Sequence, residues 1–94
     1  MLKESKGPSD EPAVIALQAL TYVAGNPEIL GRFMALTGAG PEAVRGRLED
    51  PSFHLAILDF LMGDESLLLA FAADHNLNPQ RITRIHAQLQ GEFE

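Results

Sequence analysis

The groups able to carry chemistry in this 94-residue chain are oxygen and imidazole groups, because cysteine is absent. That absence excludes a disulfide framework, thiolate metal sites and a cysteine nucleophile. The hydroxyls are Ser5, Ser9, Thr21, Tyr22, Thr37, Ser52, Ser66 and Thr83. None stands in a nucleophile elbow or beside a recognisable base. Ser9, Ser52 and Ser66 sit where helices begin, and capping accounts for them. The imidazoles are His54, His75 and His86, with no HExxH or comparable ligand spacing. On a helical wheel His54 falls between Leu58 and Leu61, and His86 lies on the inward stripe of the last helix. Two readings follow. One is a buried pair serving a metal or a proton. The other, which the spacing favours, is two boundary rings that pack while one nitrogen meets solvent or a carbonyl. His75 follows Asp74 near a helix end, where an imidazolium complements the dipole.

Carboxylates concentrate at helix starts, as Glu11, Glu28, Glu42, Asp64 and Glu65. The positive end of the helix dipole favours them there. Asp59 is the exception, mid-helix beside apolar neighbours, where solvent or an arginine is the expected partner. Gly38-Ala39-Gly40-Pro41 has two glycines but neither a preceding strand nor a following lysine, so it reads as a helix corner and not a phosphate loop. A helix, a Gly turn and a short helix with Val44 six residues after Gly38 have the outline of a helix-turn-helix. Arg45, Arg47, Arg81 and Arg84 are four of the seven basic residues, and they recur near the ends of both halves. Against nucleic acid stand thirteen acidic residues, a net charge of −6, and Gly46 inside the would-be recognition helix.

These groups are held by helices that punctuation makes legible. Asn26-Pro27, Gly40-Pro41, Asp50-Pro51 and Asn78-Pro79 each pair a capping position with a proline suited to the first helical turn. Ser9 or Asp10 before Pro12, and Asp64 before Glu65, add two more starts. Gly25, Gly38, Gly63 and Asn76 are expected left-handed stops. Helices are expected at 11–24, 27–37, 41–48, 51–62, 65–75 and 79–90. Apolar residues at 3,4 spacing agree: Leu17, Leu20, Val23 and Ala24; Leu30, Phe33, Met34 and Thr37; Leu67, Leu68, Phe71 and Ala72; Ile82, Ile85, His86 and Leu89. The helix at 51–62 is apolar almost all round, with a narrow polar strip at Ser52, Ala56, Asp59 and Gly63, so it belongs at the centre. No segment alternates as a half-buried strand does. The fold class is therefore all-α, a compact bundle of six short helices. Residues 1–10 and 91–94 read as flexible tails.

The sequence also matches itself after a shift of 38 residues without a gap. Leu17, Leu20, Tyr22 and Val23 fall on Leu55, Leu58, Phe60 and Leu61. Gly25 and Asn26 fall on Gly63 and Asp64, and Ile29, Leu30 and Phe33 on Leu67, Leu68 and Phe71. Gly38, Pro41 and Val44 fall on Asn76, Pro79 and Ile82. Two similar three-helix units, 11–48 and 50–89, are expected to cover each other's apolar faces within a single domain.

Several strings resemble a known family: Asn26 to Gly38 with its Leu30-Gly31-Arg32-Phe33 core, Asp50-Pro51-Ser52-Phe53, Leu58-Asp59-Phe60-Leu61, and Asp64 to Phe71 with Leu67-Leu68-Leu69-Ala70-Phe71. They are similar to the small alphaproteobacterial family called domain of unknown function 3572, over about residues 12–90. His75-Asn76, where a glycine turn is expected, is a small departure. The resemblance implies an all-helical bacterial cytoplasmic protein. It carries no assigned activity, so no catalytic residue transfers.

The longest apolar run, Leu67 to Ala73, is seven residues, against roughly 20 for a membrane span. The first ten residues lack the apolar stretch of a signal peptide. The expected protein is cytoplasmic, takes no cofactor and is no enzyme. Its expected partner is another protein or a second copy of itself, a homodimer being an open alternative. Tyr22, Leu36 and Leu69 fall off the main stripes and are the candidate interaction residues. The alternative is a nucleic-acid-associated regulator using Arg45, Arg47, Arg81 and Arg84, and the third reading is a metal or acid–base site at His54 and His86.

Overall fold

The computed structural model describes residues 11–93. They run through α1 (Pro12–Ala24), α2 (Pro27–Thr37), α3 (Pro41–Gly46), α4 (Pro51–Met62), α5 (Glu65–Asp74) and α6 (Pro79–Gly91). No strand occurs among the described residues. The all-α bundle of six helices is the observed fold. The tail expected at 1–10 and the terminal Glu94 lie outside the described residues. At the other end the tail assignment is corrected: Gly91 still belongs to α6.

The starts are built as their residue types require. Proline occupies the first turn of every helix except α5. Asn26, Asp50, Asp64 and Asn78 each accept a bond from a backbone N–H that the helix itself cannot satisfy. At α1 the expected cap is corrected. Glu11 is the capping residue and its side chain makes no cap bond.

The stops divide into two kinds. Gly38 (φ 73°) and Asn76 (φ 57°) are left-handed, as expected. Gly25 (φ −74°) and Gly63 (φ −80°) are right-handed, which overturns the expectation for both. The reason is the connection. Only two residues, the glycine and the extended Asn26 or Asp64, separate these helices from the next. The chain reverses at that cap, so the preceding glycine can remain helical. After α5 the Asn76 N–H bonds Ala73 O and the Leu77 N–H bonds Ala72 O. This closure satisfies two terminal carbonyls. α3 is shorter than expected, ending at Gly46 and not at 48.

Helix α4 lies at the centre, packed on α1, α2, α5 and α6. Its buried face is Phe53, His54, Ile57, Leu58, Phe60 and Leu61. The most extensive contact is with α1, through Ile15, Ala16, Ala19, Leu20 and Val23. Small residues at Ala16 and Ala19 let the larger α4 side chains seat closely, at the density of protein interiors. The α1 stripe thus includes Ile15, Ala16 and Ala19, while Leu17 and Ala24, expected inside, are exposed.

Positions 38 apart behave alike. The five buried positions of α1 correspond to five of the six in α4. Phe33 and Phe71 are both fully buried. Their aromatic contacts cross over: Phe33 of the first half packs on Phe60 of the second at 5.3 Å, and Phe71 of the second packs on Tyr22 of the first at 5.6 Å. The third helices differ. α6 has 13 residues and buries Ile82, Ile85 and Leu89, whereas α3 has 6 and buries none.

The two kinds of stop respond oppositely to alanine. Around Gly63 the nearest atom to an added Cβ is Asp59 O at 3.6 Å, an ordinary contact. Gly63→Ala is expected to stabilise by about 0.5 kcal/mol through the unfolded chain. Gly38→Ala, at φ 73°, is expected to cost about 1 kcal/mol although its surroundings are open. Paired urea melts measure both signs.

Candidate functional site

Two clefts occupy corresponding places in the two halves. The first lies between α2 and α4 and measures about 280 Å³. Phe33, Ala56 and Phe60 form its apolar floor, with Leu36, Thr37 and Asp59 around it. The floor is fixed by the Phe33 ring, set edge-on against Phe53 at 5.8 Å and Phe60 at 5.3 Å. Leu36 is 75 % exposed at its lip. The Thr37 hydroxyl donates to Phe33 O and accepts from the Ala39 N–H, so it is consumed within its own turn. Arg32 lies 5.6 Å over the Phe60 ring and pairs with Asp64 at 3.0 Å.

The second cleft, of about 480 Å³, lies where α1 and α5 end and α2 begins. Thr21, Tyr22, Asn26, Ile29, Asp74 and His75 line it. Under the 38-residue shift Tyr22 stands for Phe60, Thr21 for Asp59, Asp74 for Leu36 and His75 for Thr37. One cleft is therefore apolar and the other polar. From sequence, His75 reads only as an imidazolium that complements a helix end, with Asp74 as its neighbour. The signal that could have found them is in the shift itself, at the two positions where an apolar or small residue is replaced by an ionisable one.

The candidate interaction residues are not brought together. Leu36 belongs to the first cleft and Tyr22 to the second. Tyr22 is half-buried, its ring held against Phe71 and His75. Leu69 is exposed on α5 and lines neither of these clefts.

The four arginines separate as well. Arg47 lies 5.3 Å over the Phe53 ring, and its guanidinium reaches Asp50 and Ser52 at 3.4 Å. It braces the start of α4. Arg45 borders a small apolar cleft of about 220 Å³ with Leu20, Leu30, Met34 and Val44 among its walls. Arg81 and Arg84 border a groove along α6 with Ile85 and Gln88.

The two histidines of the metal or acid–base reading each have a separate partner. His54 is 4 % exposed, and its Nε2–H donates to Leu48 O at 2.6 Å. It ties the turn after α3 to the central helix. His86 Nε2 lies 2.6 Å from Asp59 Oδ1. Asp59 is 65 % exposed, so the expectation of solvent holds, while the protein group that meets it is an imidazole of α6 and not an arginine. All three threonine hydroxyls donate to the carbonyl four residues earlier in their own helices. Among the described residues no three His, Cys, Asp or Glu gather as a metal site.

Two carboxyls are held below the ordinary carboxylate range. For Asp50 the causes are first the Ser52 hydroxyl and then the Ser52 N–H, with Arg47 adding to both. For Asp64 the Arg32 guanidinium comes first, followed by the Leu67 N–H. A folded value below the unfolded one contributes stability that is complete above about pH 4 and is lost as pH falls through the folded value. Arg32→Ala is therefore expected to lower the melting temperature more at pH 6 than at pH 2, measured by circular dichroism. His54→Leu is expected to cost about 1–3 kcal/mol, because it removes the donor to a carbonyl at the core edge.

Comparison with known proteins gives a family without an assigned activity. No curated protein and no solved structure matches the chain. A family model described as "Protein of unknown function (DUF3572)" matches residues 9–92, nearly the whole chain and all six helices. The chain belongs to the DUF3572 family.

Proposed function

We propose that the chain is a non-enzymatic protein-interaction domain that docks through the apolar cleft beside Leu36. The observation that carries this reading is Leu36 itself, a leucine 75 % exposed over a floor of Phe33, Ala56 and Phe60. Large side chains left in water next to an apolar cleft are a common feature of contact surfaces. Asp59 and Thr37 supply the polar rim that such surfaces carry. Leu69 and Tyr22 belong to other faces and are secondary contacts in this reading. The partner is another protein or a second copy of the chain, in the cytoplasm. The correspondences at a spacing of 38 support two units, 11–48 and 50–89, descended from one and covering each other within one domain.

The second reading, nucleic-acid contact, keeps one supporting observation. α6 follows a turn after α5 and carries Arg81 and Arg84 with no acidic residue in Pro79–Gly91. Arg47 is engaged with Asp50 and Phe53, and α3 has only six residues, which counts against the other half of the four-arginine face.

Leu36→Asp is expected to abolish self-association in sedimentation velocity, or to remove specific proteins co-purified with the wild type, without changing the melting temperature by more than about 1–2 °C. Unchanged association and unchanged co-purification would overturn the docking reading. Binding of generic duplex DNA at about 50 mM salt, weakened by Arg84→Ala, would replace it with the second.

A further inference from the structure

The polar cleft has features that neither docking through Leu36 nor the packing of the core uses. His75 closes α5 and its ring is fixed on two sides. It lies 4.6 Å from the Phe71 ring and meets Tyr22 edge-on at 6.2 Å. Its Nδ1 is buried and makes no hydrogen bond. Asp74 Oδ2 lies 3.5 Å away without making one. The side chain is nevertheless 26 % exposed. The exposed part is therefore the other edge of the ring, which carries Nε2. That nitrogen is neither bonded to protein nor sealed from the cleft. At the corresponding position Thr37 satisfies itself within its own turn.

The charge of the cleft has one sign. Asp74 stands at its rim, 62 % exposed, and neither lysine nor arginine lines it. α1 closes at Gly25 and α5 at His75, so two helix C-termini, the negative ends of their dipoles, meet here. The opposing N-terminus of α2 is already spent. The Asn26 side chain accepts from Glu28 N and Ile29 N, and the Glu28 carboxylate sits in the first turn. An anion would face Asp74 and two dipole ends of its own sign. A divalent metal would find too few ligands, since no trio of His, Asp or Glu forms among the described residues. The tyrosine ring offers a face of the kind that attracts cations.

We propose that the cleft where α1 and α5 end binds a cationic nitrogen group, an alkylammonium or guanidinium, which sets its charge against Asp74, lays its carbon stem on Tyr22 and donates an N–H to Nε2 of a neutral His75 that carries its own proton on Nδ1, the nitrogen on the Asp74 side. The group has two possible sources, a small free amine or a lysine or arginine side chain of another protein. This site is separate from the Leu36 cleft and stands or falls independently of docking there.

The test is a ¹H–¹⁵N NMR titration of the full chain with agmatine, with blocked Gly-Arg-Gly and Gly-Lys-Gly peptides, and with butyrate as the anionic control. Saturable shifts are expected at residues 21–29 and 74–76, with none from butyrate. Asp74→Asn and His75→Phe are each expected to weaken binding about tenfold. Asp74 is exposed, so its variant keeps the fold, and unmoved resonances around Leu36 verify this for both variants. Saturation by agmatine assigns a free amine as the source, and saturation by the peptides alone assigns a protein side chain. Shifts that fail to saturate, that appear equally at the acidic helix starts Glu42 and Glu65, that survive both substitutions, or that butyrate reproduces would overturn the proposal.

Discussion

Keeping α4 out of water is the constraint on which the rest of the molecule depends. A twelve-residue helix with apolar side chains on nearly every side cannot be satisfied by one neighbour. Four helices pack on it. α1 brings alanines where α4 brings bulk. α2 and α5 bring one phenylalanine each, Phe33 and Phe71, both without solvent exposure. Truncating either ring would remove contacts that a small core cannot replace, at a cost of about 3–5 kcal/mol. His54, the one buried polar residue of this helix, is accommodated because its N–H meets the Leu48 carbonyl.

The crossed aromatic pairs give the halves a reciprocal relation. Phe33 reaches Phe60 while Phe71 reaches Tyr22, so each half places its second helix on the first helix of the other. That arrangement forms two equivalent crevices beside the two rings. Their chemistry differs through a few side chains. Leu36, Thr37 and Asp59 border one, and Asp74, His75 and Thr21 border the other. A single packing solution thus presents an apolar cleft beside Phe33 and a more polar one beside Tyr22.

The third helices break the correspondence for a physical reason. α6 continues through Ile85 and Leu89, both buried, and lies along α4 with His86 on Asp59. In the first half the matching stretch is Gly46-Arg47-Leu48, which offers no apolar stripe. Helix α3 stops there, Arg47 folds back over Phe53, and Val44 is only partly covered. The two halves share a plan without sharing a boundary with water.

Much was legible before any packing was known. Proline after Asn26, Asp50 and Asn78 dictates where helices start, because it lacks an N–H that the first turn cannot use and the preceding side chain caps the others. Periodicity identified α4 as central, and the repeat spacing paired Phe33 with Phe71. Local sequence could not decide the hand of Gly25 and Gly63, because φ there depends on where the next helix must go. Nor could it decide that Asp59 meets His86 across two helices, that Arg47 turns inward, or that Tyr22, Asp74 and His75 share one cleft. Those facts depend on contacts between residues distant in the chain, which exist only once the apolar faces have closed around α4.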